Sequence, residues 1–202
     1  MTTMVMPTTE QPDAVATSSN GSGYIKTTTH NYVSRQATIE GAKQVEIKGR
    51  SILQPGVQVR GDYAIVRIGR YCEIDRNSRL EPPPSDSTTT STSSTAGTNY
   101  QPLVIGSHTH IGKNCHIQAS AIGSMVWIGD SVTLKERVVI KDNCIIEDNV
   151  TLGADTVVPP FTRISAKNPL LWTELPPSMA VHMQDVSLER YQQFKKEERE
   201  RQ

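Results

Sequence analysis

The stretch from Val126 to Ile164, VWIGDSVTLKERVVIKDNCIIEDNVTLGADTVVPPFTRI, returns an aliphatic residue at every sixth position. The series is Ile128, Leu134, Ile140, Ile146, Leu152, Val158 and Ile164. Two residues before each stands a smaller one: Val126, Val132, Val138, Cys144, Val150, Thr156 and Thr162. A period of six is neither the 3.6 of a helix nor the plain alternation of a strand. It is the hexapeptide repeat, a short strand followed by a corner, and three hexads close one triangular coil of a parallel β-helix. Successive coils stack at strand spacing, roughly 4.8 Å. The large aliphatic and the small residue two before it both point inward, because alternate strand residues share a face.

Upstream, the same columns continue with irregularities. Leu103 and Ile105 lead to Ile111 and Ile117, and Ile122 follows after five residues, one corner being a residue short. Earlier still, Ile47, Leu53 and Val59 stand six apart, the corner Arg60-Gly61-Asp62-Tyr63 adds residues, and the register resumes at Ile68, Ile74 and Leu80. The first coil is ragged, with Ile39 and Val45 inward and Lys43, Lys48 and Arg50 between inward positions. Glycines at 69, 106, 112, 123, 129 and 153 follow inward aliphatics, and Asn114, Asn143 and Asn149 fall in corners, where left-handed backbone is expected.

Three segments fall outside the coils. Residues 1–22 are Thr, Ser, Pro, Gln and Gly with little to bury, and are expected to be a disordered tail. The repeat stops at Glu81-Pro82-Pro83-Pro84, and a Ser/Thr tract from Ser85 to Thr95 makes 82–102 a flexible loop, a cheap insertion in a β-helix spanning 23–166. In the C-terminal segment, 167–202, Asn168 through Trp172 to Pro176-Pro177 reads as irregular apolar chain packed on the coil. A helix is expected over about 185–200, with Leu188, Tyr191 and Phe194 three apart and Asp185 as its cap.

Composition narrows the function classes. Lys plus Arg and Asp plus Glu balance at 21 each, so no net field gathers nucleic acid or an anionic membrane. No apolar run approaches the ~20 residues of a membrane span. The first residues lack the basic and apolar regions of a signal peptide, and three cysteines fit a reducing compartment better than a disulfide framework. A soluble cytosolic protein is expected.

Register also sorts the reactive side chains. Cys72, Cys115 and Cys144 each lie two before an inward aliphatic, the place of a small buried hydrophobe. His108, His110 and His116 are close in sequence, yet His110 and His116 face outward on adjacent sides of the triangle, so they do not share a metal within one chain. The outward column of the first side reads His110, Trp127, Ile145, Arg163; of the second, His116, Thr133, Thr151; of the third, Ala121, Val139, Val157. Two sides therefore expose apolar columns, which mark contacts. One is expected to be covered by the C-terminal helix and the other to meet another protein, with Trp127 as the anchor. No catalytic residue, metal or cofactor is expected.

Two resemblances add to this. The run Val59-Arg60-Gly61-Asp62-Tyr63-Ala64-Ile65-Val66-Arg67-Ile68-Gly69 resembles a coil of the γ-class carbonic anhydrases. Those are left-handed β-helix trimers holding zinc with three histidines between subunits. That pattern places its histidines at Glu81, Lys113 and Gln118, a poor zinc set. Arg60 and Asp62, which that family uses near subunit contacts, are retained.

The chain more closely resembles the dynactin subunit 5 family. The resemblance runs over Tyr24-Ile25, Val33-Ser34-Arg35-Gln36, Val59 to Cys72, Pro102-Leu103-x-Ile105-Gly106, Val157 to Thr162, Glu174-Leu175-Pro176 and Tyr191-Gln192-x-Phe194. It implies an all-β, left-handed parallel β-helix with a C-terminal α-helix, and a non-catalytic subunit of the dynactin pointed-end complex. The implied partners are dynactin subunit 6, dynactin subunit 4, the pointed-end actin-related protein and dynein cargo adaptors, in the cytoplasm on the microtubule cytoskeleton. The rival readings are enzymes: a metal-dependent hydratase of the carbonic anhydrase type, with zinc at a recast site including His108, His110 or His116 from neighbouring chains, and a hexapeptide acyltransferase. The second would use His116 as base, for which spacing identifies no acidic partner.

Overall fold

In the computed structural model, residues 23–85 and 99–201 are described. The predicted tail and the predicted Ser/Thr tract lie outside the described residues, save for the tract's first residue, Ser85. Because a hexad is one strand plus one corner, every third hexad lands on the same side, and three parallel sheets form along the prism. Trp127 pairs with Ile145 and Ile145 with Arg163, each step being eighteen residues. His110 pairs with Trp127 after seventeen, so the short corner before Ile122 is absorbed without loss of register.

The second side runs from Thr38–Glu40 to Thr151–Leu152, and the third from Val45–Gly49 to Val157–Val158, six strands each. The first side has nine strands, because antiparallel strands extend it at both ends. Tyr24–Lys26 pairs with Tyr32–Ser34, and Asn168–Glu174 pairs with Thr162–Ser165. The second of these corrects the expectation of irregular chain from Asn168 to Pro177 over its first seven residues. An end strand of a parallel stack presents a row of unpaired backbone groups, and the returning chain satisfies them.

The inward column from Ile128 to Ile164 is buried throughout, with Leu53, Val59, Ile68, Ile74, Leu80, Ile111 and Ile117 above it. Cys72, Cys115 and Cys144 are free thiols in this core, with Sγ at 3.0, 3.1 and 3.1 Å from the carbonyls of Gly106, Gly129 and Pro159. Burial pushes the Cys72 and Cys115 thiols up to about 11 and raises Cys144 as well. Thiols held neutral pack as small hydrophobes and do not act as nucleophiles.

The corners divide the labour differently from the expectation. Asn114, Asn143 and Asn149 take left-handed backbone as anticipated, but so do Arg50, Tyr71, His108, Met125 and Phe161. Gly69 and Gly106 do not; a Cβ on either would meet the backbone of the next coil at 2.6 or 2.5 Å. These glycines are required for close approach of one coil to the next, not for positive φ.

The helix spans Met179–Glu200, beginning six residues before the predicted start. Pro176 and Pro177 set up its entry, their carbonyls accepting from the amides of Met179 and Ala180 at 2.9 and 3.3 Å, and Asp185 lies inside the helix rather than capping it. Its buried stripe is Met183 and Tyr191, with Glu198 at the far end. Tyr191 joins Tyr32 and Ile52 in a second small core with Tyr24, Tyr71 and Phe194 packed around it. The helix therefore lies along the first side.

Candidate protein-interaction site

The helix decides what each outward column can do. On the first side, Trp127 stacks on His110 with ring centroids 4.1 Å apart, and the Arg190 guanidinium sits 5.5 Å above the indole. Met179, Met183 and Val186 complete a cavity over Trp127 and Ile145, with Arg163 and His182 at its edge. Arg163 is tied to Glu147, Nε to Oε1 at 2.6 Å. The residue expected to anchor a partner is thus already engaged by the chain's own helix. Of the two apolar columns, this is the covered one.

The third side is uncovered among the described residues. Val104 is 39% and Val157 55% exposed, with Ala121 and Val139 half-buried between them in direct cross-strand register. Val104 extends the predicted column by one coil; the short corner before Ile122 sets it off from the clean repeat. Gly123, Lys141, Asp142 and Pro160 border a shallow depression beside Ala121 and Val139. The result is a flat aliphatic stripe, the kind of surface that exposed apolar patches supply to protein contacts.

On the second side the outward groups are polar, and those around Glu81 bond to one another. Glu81 is 5% exposed and accepts from Arg79 Nε at 2.6 Å and Gln118 Nε2 at 3.2 Å, with His116 Nε2 at hydrogen-bond distance, 2.8 Å. Burial raises the Glu81 carboxyl, and the hydrogen bonds from His116 and Arg79 outweigh it and hold the group low. Two of the three positions that the carbonic anhydrase pattern reserves for zinc ligands, Glu81 and Gln118, therefore bond to each other. With Lys113 as the third, this set does not fit zinc. His116 does have an acidic partner, which spacing could not reveal, since the loop insertion lies between the two residues.

Arg60 and Asp62 close the long corner above this network. Arg60 Nε and Nη2 reach the two Asp62 oxygens at 2.9 and 2.8 Å, Glu40 lies 3.1 Å away, and the guanidinium covers Tyr63, which stacks on Tyr100. The Arg60 hydrogen bond holds the Asp62 carboxyl below its ordinary range.

The three neighbouring histidines go separate ways. His108 Nδ1 meets Ser187 Oγ of the helix at 2.6 Å and its ring stacks on Tyr71, and burial lowers its pKa. His110 Nδ1 lies 3.5 Å from Glu73 Oε2, an ion-pair distance too long for a full hydrogen bond, and has no closer partner. Among the described residues no group of three or more His, Cys, Asp or Glu side chains is arranged to hold a metal ion.

Glu73 is the electrostatic latch of the helix. Burial raises its carboxyl, but the contacts from His110 and from Arg190, whose Nε is 2.5 Å away, outweigh that and bring it down to about 2 from 4.5. A carboxylate lowered in the folded state contributes stability that is complete above the unfolded value and is lost as pH falls. Helix docking is therefore expected to weaken between pH 4.5 and pH 2 by at most about 3 kcal/mol. Acid titration of tryptophan fluorescence, with Glu73→Gln flattening the response, measures it; an unchanged titration in that variant would reject the latch.

A model of the family described as Dynactin subunit 5 matches residues 16–198, nearly the whole chain. The chain belongs to that family. A curated relative, Dynactin subunit 5 of Dictyostelium discoideum, is 37% identical over 103 residues, covering 51% of this chain and 48% of that protein. The matched stretch thus spans about half the length of that relative. Among solved structures, a hexapeptide transferase family protein from Anaplasma phagocytophilum superposes with a TM-score of 0.56 at 16% identity, over 80% of this chain and 88% of the other. At that identity the likeness is one of fold, the left-handed parallel β-helix of hexapeptide repeats. In this member of the dynactin subunit 5 family, that prism carries one helix-covered side, one polar side and one bare aliphatic side.

Proposed function

We propose that the chain is a non-catalytic scaffold subunit of the dynactin pointed-end complex, and that its third side docks a neighbouring subunit. In this reading it sits with dynactin subunit 6, dynactin subunit 4 and the pointed-end actin-related protein in the cytoplasm. There it supports attachment of cargo adaptors for dynein-driven transport along microtubules. The observation that carries the reading is the column Val104, Ala121, Val139 and Val157, left open where the other apolar column is closed by the helix. Family membership supplies the complex. No described helix is long and apolar enough to cross a membrane, and cargo attachment in this reading is indirect.

Native purification of the tagged full chain tests it. Recovery together with actin-related and dynein-associated proteins is expected; an isolated homotrimer would reject it. The Glu81–His116 pair favours a second reading, an acyltransferase with His116 as base. Against it, Arg79 and Gln118 occupy the same carboxylate, so the pair is a member of a closed polar network. Acetyl-CoA binding, or CO₂ hydration with stoichiometric zinc, would overturn the scaffold reading in favour of the enzyme.

A further inference from the structure

At the first-coil rim, where the third side turns into the first, three consecutive coils bring basic side chains to one cavity. Thr29 and His30 come from the turn before Tyr32, Lys48 and Arg50 flank Gly49, and Arg70 ends the strand Val66–Arg70 of the next coil. The cavity holds about 230 Å³ and its lining contains no carboxylate and no apolar side chain. This is unusual for a chain with zero net charge whose other outward arginines are largely paired: Arg67 with Glu46, Arg79 with Glu81, Arg137 with Asp155, Arg163 with Glu147. Glu46, the acid closest in sequence to Lys48, is thus committed to Arg67 at 3.4 Å. Neither Lys48 nor Arg70 makes an ion pair among the described residues.

The site is also held in place. Arg50 bonds the Tyr71 hydroxyl and lies over its ring at 5.4 Å, and Tyr71 in turn packs edge-on against Tyr191 of the helix. The Tyr191 hydroxyl donates to the His30 carbonyl at 2.8 Å, and the Arg50 amide donates to the Thr29 carbonyl at 3.1 Å. The Thr29–Arg50 wall of the cavity is therefore fixed by the same tyrosines that dock the helix. Holding Arg50 in place lowers the side-chain entropy lost when it binds an anion.

We propose that this rim pocket binds a compact phosphate-bearing anion of several charges, with the chemistry of an inositol phosphate headgroup. Three formally positive side chains with an imidazole beside them match several phosphate oxygens at once. The wholly polar lining favours a headgroup over a phosphopeptide, whose flanking side chains need apolar subsites. Free inositol phosphates and lipid-borne headgroups share this chemistry.

Calorimetry of the full chain with inositol trisphosphate, inositol hexakisphosphate and inorganic phosphate tests the site at physiological salt. Binding of the inositol phosphates is expected, weakening about tenfold for each cation removed in Lys48→Gln and Arg70→Gln. Both side chains are exposed, so melting curves are expected to stay unchanged, and Lys113→Gln on another corner serves as control. Flotation with phosphatidylcholine vesicles, with and without a phosphoinositide, assigns the source: co-flotation supports a lipid-borne headgroup, and binding in solution alone supports a free one. Absence of inositol phosphate binding, equal binding by the double variant, or binding confined to a phosphoserine peptide would each overturn the proposal.

Discussion

Val139→Arg is expected to strip the chain of its third-side partner while leaving its thermal midpoint within about 2 °C of the parent. Val139 sits between Ala121 and Val157 in the open column, half-buried by its neighbours and pointing out of the coil. In the free chain an arginine there keeps its head in water and lays its stem along the stripe. Against a partner, the same guanidinium would be desolvated without a counter-charge, a cost of about 3 kcal/mol or more, which is over a hundredfold in affinity. Val157→Arg is best tested separately, because paired arginines on adjacent strands would repel and confuse stability with binding. Thr133→Arg and Thr151→Arg place the same charge on the polar side and are expected to leave the partners bound. Undiminished recovery of every partner with Val139→Arg and Val157→Arg would sink the third side as the docking face.

The largest stability effect is expected from Tyr191→Ala. The tyrosine is buried at the centre of the small aromatic core, its ring 5.7 Å from Tyr71 and 6.0 Å from Tyr32, with its hydroxyl on the His30 carbonyl. Removing the ring leaves a cavity and an unpaired carbonyl, a loss of about 3–5 kcal/mol. For a chain of this size that lowers the midpoint by about 10 °C. A helix of this length holds little structure in water once its apolar stripe loses its seat, so circular dichroism should lose helical signal. Trp127 should become accessible to a fluorescence quencher at the same time. Tyr191→Phe keeps the ring and is expected to cost only about 1 kcal/mol. An Ala variant that melts like the parent with its helix intact would show that Tyr191 is not what docks the helix.

Both predictions turn on a distinction the period alone does not make. Two apolar outward columns were legible in the sequence, and Trp127 stood out in one of them. The structure gives that column to the helix, through Met183, Arg190 and Tyr191, and leaves the column of Val104 and Val157 bare. The helix start is not legible from apolar spacing, because Met179 to Gln184 precedes the Leu188, Tyr191 and Phe194 stripe and Ser178 at the cap makes no side-chain hydrogen bond. His116 lacked a visible partner because Glu81 is brought beside it only after the chain has left the coil and returned.

By itself the sequence determined the hexapeptide coil, its inward columns, the burial of all three cysteines and the divergence of the histidines. Each follows from local periodicity, since a residue's direction on a short strand depends only on its place within its own hexad. The tertiary structure alone decided which side the helix covers, which carboxylate meets which histidine, and that Lys48, Arg50 and Arg70 surround one acid-free cavity. Those relations join residues on different coils or across the loop, and stacking and docking geometry set them rather than spacing along the chain.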